Sequence, residues 1–264
     1  MVTMKVVVVA GVSGNIGHEF ARYFSRAQDT RCYGIGRRGG SDLQISYIKA
    51  DLAARSDAEK AANYIRLDDA NELYIIHTIG KFAFEPNGKP NLDIDGDGVD
   101  DEVYKSNVTT FMNIESALVN RTHPPLKIAQ CCIGSVSDVH QIPIFGSYYK
   151  SKNILRSYLR DRPRTGKLEN MRGVFINISS CLSPDAKNPG LDKDGRIYRA
   201  VSNIDTWLSA KEVVERSIPS IMNDMLDYQE ISIIKPNKNF PSDYYKNTDA
   251  LKRKWITETS PQIE

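Results

Sequence analysis

A chain of 264 residues, 41% hydrophobic and 26% charged, is long enough for one substantial α/β domain and does not demand two. The formal charge of +2 and the lack of any block of five like charges argue against a nucleic-acid or membrane-surface partner. The longest early apolar run, 6–10, is too short to span a bilayer and lacks the flanks of a signal peptide. Cys32, Cys131, Cys132 and Cys181 show neither metal-ligand spacing nor a disulfide framework, so a reduced, cytoplasmic setting is expected.

Short β-branched runs alternate with longer amphipathic ones, the pattern of repeated βα units around a parallel sheet. In chain order, 4–10 reads as a buried strand and 15–26 as the helix after it. Strands follow at 31–35 and 45–50, the latter ending at Asp51. The helix 56–65 carries Ala58, Ala61, Ala62 and Ile65 on one face. A strand at 73–79 leads to Gly80, and a long helix covers 103–119. Then come a strand at 126–133, a helix at 148–160, a strand at 174–178, a helix at 210–225 and a closing strand at 231–234. The expected fold is a single Rossmann-type, doubly wound parallel sheet of about seven strands with helices on both faces. Two irregular stretches, 82–102 and 179–203, interrupt the rhythm, and loops of that length are usually functional. One unit over 1–237 and a polar C-terminal extension over 238–264 are expected.

Straight after the first strand stand Gly11, Val12, Ser13, Gly14, Asn15, Ile16 and Gly17. A strand turning into a helix leaves unpaired N–H groups that, with the helix dipole, favour an anion. Glycines there let backbone approach a pyrophosphate, which makes Gly11, Ser13, Gly14, Asn15 and Ile16 candidate dinucleotide contacts. An ordinary strand-to-helix turn has the same look. The second strand ends in Gly34-Ile35-Gly36-Arg37-Arg38 without a carboxylate. Arginines at that place accommodate the extra phosphate of NADP(H), which is therefore favoured over NAD(H). Two solvated arginines are the plainer alternative.

The segment 132–152 carries the chemistry. Tyr148 and Lys152 are four apart and share one helix face, and Ser135 lies thirteen residues before Tyr148 at the end of the fifth strand. Carbonyl reduction by hydride needs a proton donor, and a free tyrosine, with a pKa near 10, is reluctant to cycle at neutral pH. A lysine one turn away would lower that value, while a serine hydroxyl can donate to the substrate oxygen. Tyr149, about 100° further around the helix, reads as a substrate-side or packing residue.

Tyr-x-x-x-Lys with a serine thirteen residues upstream resembles the short-chain dehydrogenase/reductase family over roughly residues 4–236. Ser151 before the lysine is also typical of the family. The resemblance implies a proton donor at Tyr148, a pKa-lowering and ribose-binding Lys152, a substrate-orienting Ser135 and a water-holding Asn107. It further implies cofactor contacts at Asp51, Leu52 and Gly80, a substrate lid at about 179–203, and a homodimer or homotetramer. The chain departs from the family pattern at Asn15, at His77-Thr78-Ile79 and at Ser179-Ser180. His77 reads as a strand-end packing residue, and the charges of 179–203 suggest a polar substrate.

Asp93, Asp95, Asp97 and Asp101, with Gly98 at the turn, are spaced like a calcium loop, but Tyr104 stands where a glutamate is needed. A solvated loop of Asp-Gly turns is the reading adopted, with no metal assigned. A nucleotide-sugar epimerase or dehydratase and a non-catalytic cofactor-binding sensor or scaffold remain as other functional classes. Net NADPH consumption separates them from a reductase.

Overall fold

The computed structural model describes residues 4–38, 43–83, 85, 88–123, 126–136, 138, 141, 145–162, 168–179, 181 and 207–235. Most of the expected lid and the whole C-terminal extension lie outside the described residues. The elements are β1 (Lys5–Ala10), α1 (Asn15–Ser25), β2 (Thr30–Gly36), β3 (Ser46–Lys49), α2 (Arg55–Asn63) and β4 (Glu72–His77). There follow α3 (Asp101–Tyr104), a π-helical turn (Lys105–Thr109), α4 (Thr110–Val119), β5 (Lys127–Ile133) and α5 (Gly146–Asp161). The last are β6 (Met171–Ile178), α6 (Ala210–Met222) and β7 (Tyr228–Ile233).

All seven strands form one parallel sheet in the order β3-β2-β1-β4-β5-β6-β7. Parallel strands covered on both sides read as continuous apolar runs, and Val6–Ala10 is fully enclosed for that reason. Val6, Val8 and Ala10 face the core formed with α2, α4 and α5, where Ala58, Ala61, Phe111, Ile114, Leu155 and Leu159 pack. Val7 and Val9 face the opposite core with Phe20 and Phe24 of α1 and Val213 and Ile221 of α6. Each large apolar side chain enclosed this way contributes roughly 1.5–3 kcal/mol. The order in which strands are added reverses between β1 and β4, so the crevice for a ligand opens at their carboxyl ends. Ala10, His77 and Cys132 lie in register there.

The boundaries differ from the sequence pattern where tertiary contacts decide them. The helix expected from 103 starts at Asp101, because the Asp100 side chain caps it by accepting from the Glu102 and Val103 N–H groups. Its middle widens into the π turn. β4 stops at His77 because Thr78 turns its N–H to the Ala10 carbonyl at 2.9 Å. β6 starts three residues early: at Gly173 a side chain would meet Leu159 at 3.1 Å, so the glycine belongs to the sheet. β7 also begins early, through the polar Tyr228, Gln229 and Glu230 that an edge strand can leave partly exposed.

Candidate active site

The turn after β1 has space where side chains would be. Gly11 adopts φ +91°, and a Cβ on it would lie 2.7 Å from Thr78 Oγ1 and 2.9 Å from Ile79 Cγ1. A Cβ on Gly17 would come within 2.3 Å of the Gly11 carbonyl oxygen, so α1 can pack on the turn only without one. The Thr78 hydroxyl donates to the Ala10 carbonyl at 2.9 Å, tying the exit of β4 to the turn. Gly14 is the N-cap of α1; no side chain caps that helix and its first turn has no acidic residue. Ser13 and Gly14 are exposed, while Asn15 and Ile16 are half-buried at the helix start.

Arg37 and Arg38 are exposed just past β2, without a carboxylate partner among the described residues. They border the turn, since a Cβ on neighbouring Gly36 would lie 3.3 Å from Ser13 Oγ. Asp51 stands two residues after β3, exposed, with Oδ1 accepting from the Ala53 N–H at 3.1 Å. Leu52 is buried, and its carbonyl accepts from Asn113 Nδ2 at 2.9 Å.

Across the crevice the π turn presents Asn107, fully buried, toward the exit of β4. Its Oδ1 accepts from the Lys81 N–H at 2.6 Å, and its Nδ2 donates to the Lys81 carbonyl at 3.1 Å and to Ser151 Oγ at 2.8 Å. Both amide donors are therefore engaged within the protein, and the carboxamide fastens the chain after Gly80 to α5. π turns recur where a helix must re-aim a side chain, and this one brings Asn107 there. Ser151 completes the link by donating to the Tyr148 carbonyl at 2.8 Å.

Tyr148 and Lys152 lie on the same face of α5, with Lys152 Nζ 5.6 Å from the Tyr148 ring centroid. A Cβ on Gly80 would lie 3.5 Å from that Nζ and 4.0 Å from Asn107 Oδ1, so Gly80, Asn107 and Lys152 meet at one point. Tyr148 shares a hydrogen bond with Ser135. The structure thus brings Asn107, Ser135, Tyr148, Lys152 and Gly80 together. Gly11, Ser13, Gly14, Arg37 and Arg38 form the neighbouring part of the crevice, and Asp51 and Leu52 follow β3 beyond β2.

The electrostatics differ from the acidified phenol expected from the sequence. Burial pushes Tyr148 up to about 12, the charge of Asp138 adds to the rise, and the hydrogen bond with Ser135 opposes it. Burial holds Lys152 down to about 8, against upward pulls from Cys132 and Asp138. His77 is held down to about 3, by burial first and the Lys152 charge second, and so stays neutral. Its Nε2 lies 2.8 Å from Thr110 Oγ1, whose own proton goes to the Ser106 carbonyl at 2.6 Å. The imidazole must therefore donate from Nε2, which leaves Nδ1 as a buried acceptor without a partner among the described residues.

Sequence spacing did not single out Glu85, Phe82, Asp138 or Arg156. The buried Glu85 carboxylate accepts from both the N–H (3.0 Å) and the hydroxyl of Ser147, in the first turn of α5 and directly before Tyr148. The Asp100 N–H donates to the same hydroxyl at 2.7 Å, and Lys150 Nζ to the Gly98 carbonyl at 2.6 Å. The Phe82 ring meets Phe145 and Tyr148 edge-on at 4.6 and 5.5 Å between centroids. Phe82, Glu85, Gly98 and Asp100 therefore splint the start of α5. Asp93, Asp95 and Asp97 converge, exposed, each accepting from backbone N–H groups of their own loop at 2.7–3.3 Å.

No protein-family model and no curated protein matches the chain. Solved structures do. A short-chain type dehydrogenase/reductase from Mycobacterium ulcerans superposes with a TM-score of 0.67 at 12% identity, over 97% of this chain and 99% of the other. The fold is that of the short-chain dehydrogenases/reductases. An alcohol dehydrogenase from Thermococcus sibiricus complexed with 5-hydroxy-NADP matches at TM-score 0.64 and 16% identity, over 90% and 99% of the two chains. The NADH-dependent reductase A1-R', complexed with NAD, matches at 0.64 and 13%, over 88% and 95%. The short-chain dehydrogenase/reductase fold thus carries either nicotinamide cofactor in those proteins. Among the described residues no helix is long and apolar enough to cross a membrane.

Proposed function

We propose that the protein is an NADP(H)-dependent oxidoreductase that exchanges hydride with a carbonyl or alcohol, using Tyr148 as proton donor and acceptor. The observation that carries this reading is the meeting of Ser135, Tyr148, Lys152 and Asn107 beside Gly80 at the carboxyl ends of β4 and β5. The turn at Gly11–Gly17 fits a dinucleotide pyrophosphate: its glycines leave a cradle that side chains would fill, and the start of α1 has no acidic or capping side chain to compete. Arg37 and Arg38 beside it favour the 2′-phosphate of NADP(H), and Asp51 and Leu52 lie further out toward the adenine end.

When bound, the nicotinamide supplies or receives the hydride. Ser135 donates a hydrogen bond to the substrate oxygen and holds it against the phenol. In reduction Tyr148 gives its proton to that oxygen; in oxidation it takes one. A phenol pushed up to about 12 is a ready donor but a reluctant base, so Lys152 and the nicotinamide charge must together bring it down for oxidation. Lys152 also reaches the ribose hydroxyls, and Asn107 keeps Gly80 and α5 at a fixed spacing. A polar substrate follows from the charged residues of 179–203, and pairing of α4 and α5 across a dimer or tetramer follows from the family resemblance. The setting is cytoplasmic.

The test is net NADPH oxidation over a panel of polar and lipophilic carbonyls. Tyr148→Phe is expected to keep NADPH affinity and to lose about 10²–10⁴-fold in turnover. Turnover near that of the unaltered protein would end the assignment.

A further inference from the structure

A buried ion pair that the mechanism above does not use lies beside Ser135 and Tyr148. Asp138 sits one turn past Ser135, its N–H donating to the Ser135 carbonyl at 3.1 Å. Its side chain is fully enclosed, and Oδ2 lies 2.9 Å from Nη2 of Arg156, which is itself only 13% exposed. Arg156 follows Lys152 by four residues and Tyr148 by eight, so all three share one face of α5. The guanidinium also reaches Glu230 of β7 at 3.0 Å and Asn177 of β6 at 3.2 Å, and lies 4.9 Å from the Phe175 ring centroid. Burying such a pair rarely adds stability over an apolar pair of like size, so its place beside the reacting groups asks for another reason.

We propose that Asp138, paired with Arg156, is a positioning residue: it locks the turn bearing Ser135 onto α5 and sets a carboxylate charge beside Tyr148 and Lys152. This rests on the reading of Tyr148 as the acid/base. Ser135 and Asp138 face Tyr148; Cys132 of β5, His77 of β4 and Asp138 face Lys152; Asp138, Glu230 and Tyr228 face Arg156. Among these, Asp138 is the carboxylate that acts on both Tyr148 and Lys152, and it favours the proton on each. Its effect is to keep the phenol a donor.

Lys152, held near 8, titrates in an accessible range and is the reporter. Its Cε resonance would be followed against pH in protein carrying ¹³C-labelled lysine, with Lys152→Met giving the assignment. Asp138→Asn is expected to lower the midpoint by about one unit. Arg156→Gln, which strips the counter-charge from the carboxylate, is expected to raise it by a similar amount, and Arg156→Lys to restore it. Arg156 keeps Glu230 in Asp138→Asn, so that variant retains a paired guanidinium; should it fail to fold, the two Arg156 variants decide. A purely structural pair would lower the unfolding temperature and leave the midpoint still, which overturns the proposal. Tyr148→Phe retaining turnover would remove the catalytic reading without moving these midpoints, so the two failures are distinct.

Discussion

Around Gly11–Gly17 the protein makes room by leaving side chains out, whereas around Tyr148 it encloses polar and charged groups that burial disfavours. In the first region the contacts are backbone against backbone: a methyl on Gly17 would be 2.3 Å from a carbonyl oxygen. In the second, Lys152, His77 and Tyr148 are all held in their neutral forms more strongly than in water. The difference teaches where stability and chemistry conflict. The glycine turn serves packing and ligand access with the same atoms, so the two needs agree there. At the tyrosine, solvation would be the more stable state, and the fold overrides it.

After Tyr148→Phe, the largest expected effect tests that conflict directly. Lys152→Met removes an amine whose charged form is disfavoured and leaves an apolar chain of similar length. Turnover is expected to fall by about 10²–10³-fold, while denaturant unfolding shows stability equal to or above that of the unaltered protein. A clear loss of stability would erase the contrast between the regions. Gly17→Ala should do the reverse of Lys152→Met. Overpacking against the Gly11 carbonyl costs about 3 kcal/mol in unfolding experiments, and NADPH affinity falls with it because the turn itself is displaced. If Gly17→Ala unfolds like the unaltered protein, the turn is looser than its geometry.

The glycine turn was legible from the sequence because it is local: Gly11, Gly14 and Gly17 lie within seven residues, directly after an apolar strand. Tyr148, Ser151 and Lys152 were legible for the same reason, and Ser135 through the end of a recognisable strand. What escaped depends on partners far along the chain. Glu85 starts α5 from 62 residues away, and no periodicity announces such a cap. The π turn at Lys105–Thr109 lies inside a helix whose pattern reads as regular. Asp138 and Arg156 are separated by a full loop and most of a helix, and each alone looks like a solvated charge. The acidified tyrosine was expected by weighing Lys152 without burial, which raises the phenol most, and without Asp138, whose charge adds to the rise.

His77 offers a pH-dependent form of the same comparison. An unfolded histidine binds a proton near pH 6.5, whereas folded His77 resists one down to about 3. The unfolded state therefore holds the extra proton between those values. This contribution to stability is complete above about pH 6.5 and is lost as pH falls toward 3. The slope from one such proton is about 1.4 kcal/mol per pH unit. Unfolding curves from pH 7 to 4.5 are expected to be less steep in pH for His77→Asn than for the unaltered chain. Parallel slopes would mean that His77 accepts its proton in the folded state.

The smallest effect belongs to the rim of the glycine turn, where Arg37 and Arg38 are exposed and their removal asks nothing of the core. Each guanidinium can make one charge-assisted hydrogen bond to a 2′-phosphate, worth roughly 1.5–3 kcal/mol. Because both are exposed, salt screens part of that, and about a tenfold loss per arginine is the expected outcome at moderate ionic strength. Arg37→Gln and Arg38→Gln should therefore weaken NADPH, followed by its fluorescence on binding, while leaving NADH and the unfolding midpoint unmoved. The loss should shrink as salt is raised, which separates a charge contact from a packing defect. If both cofactors weaken equally, the arginines support the turn rather than read the phosphate, and the NADP(H) preference falls with them.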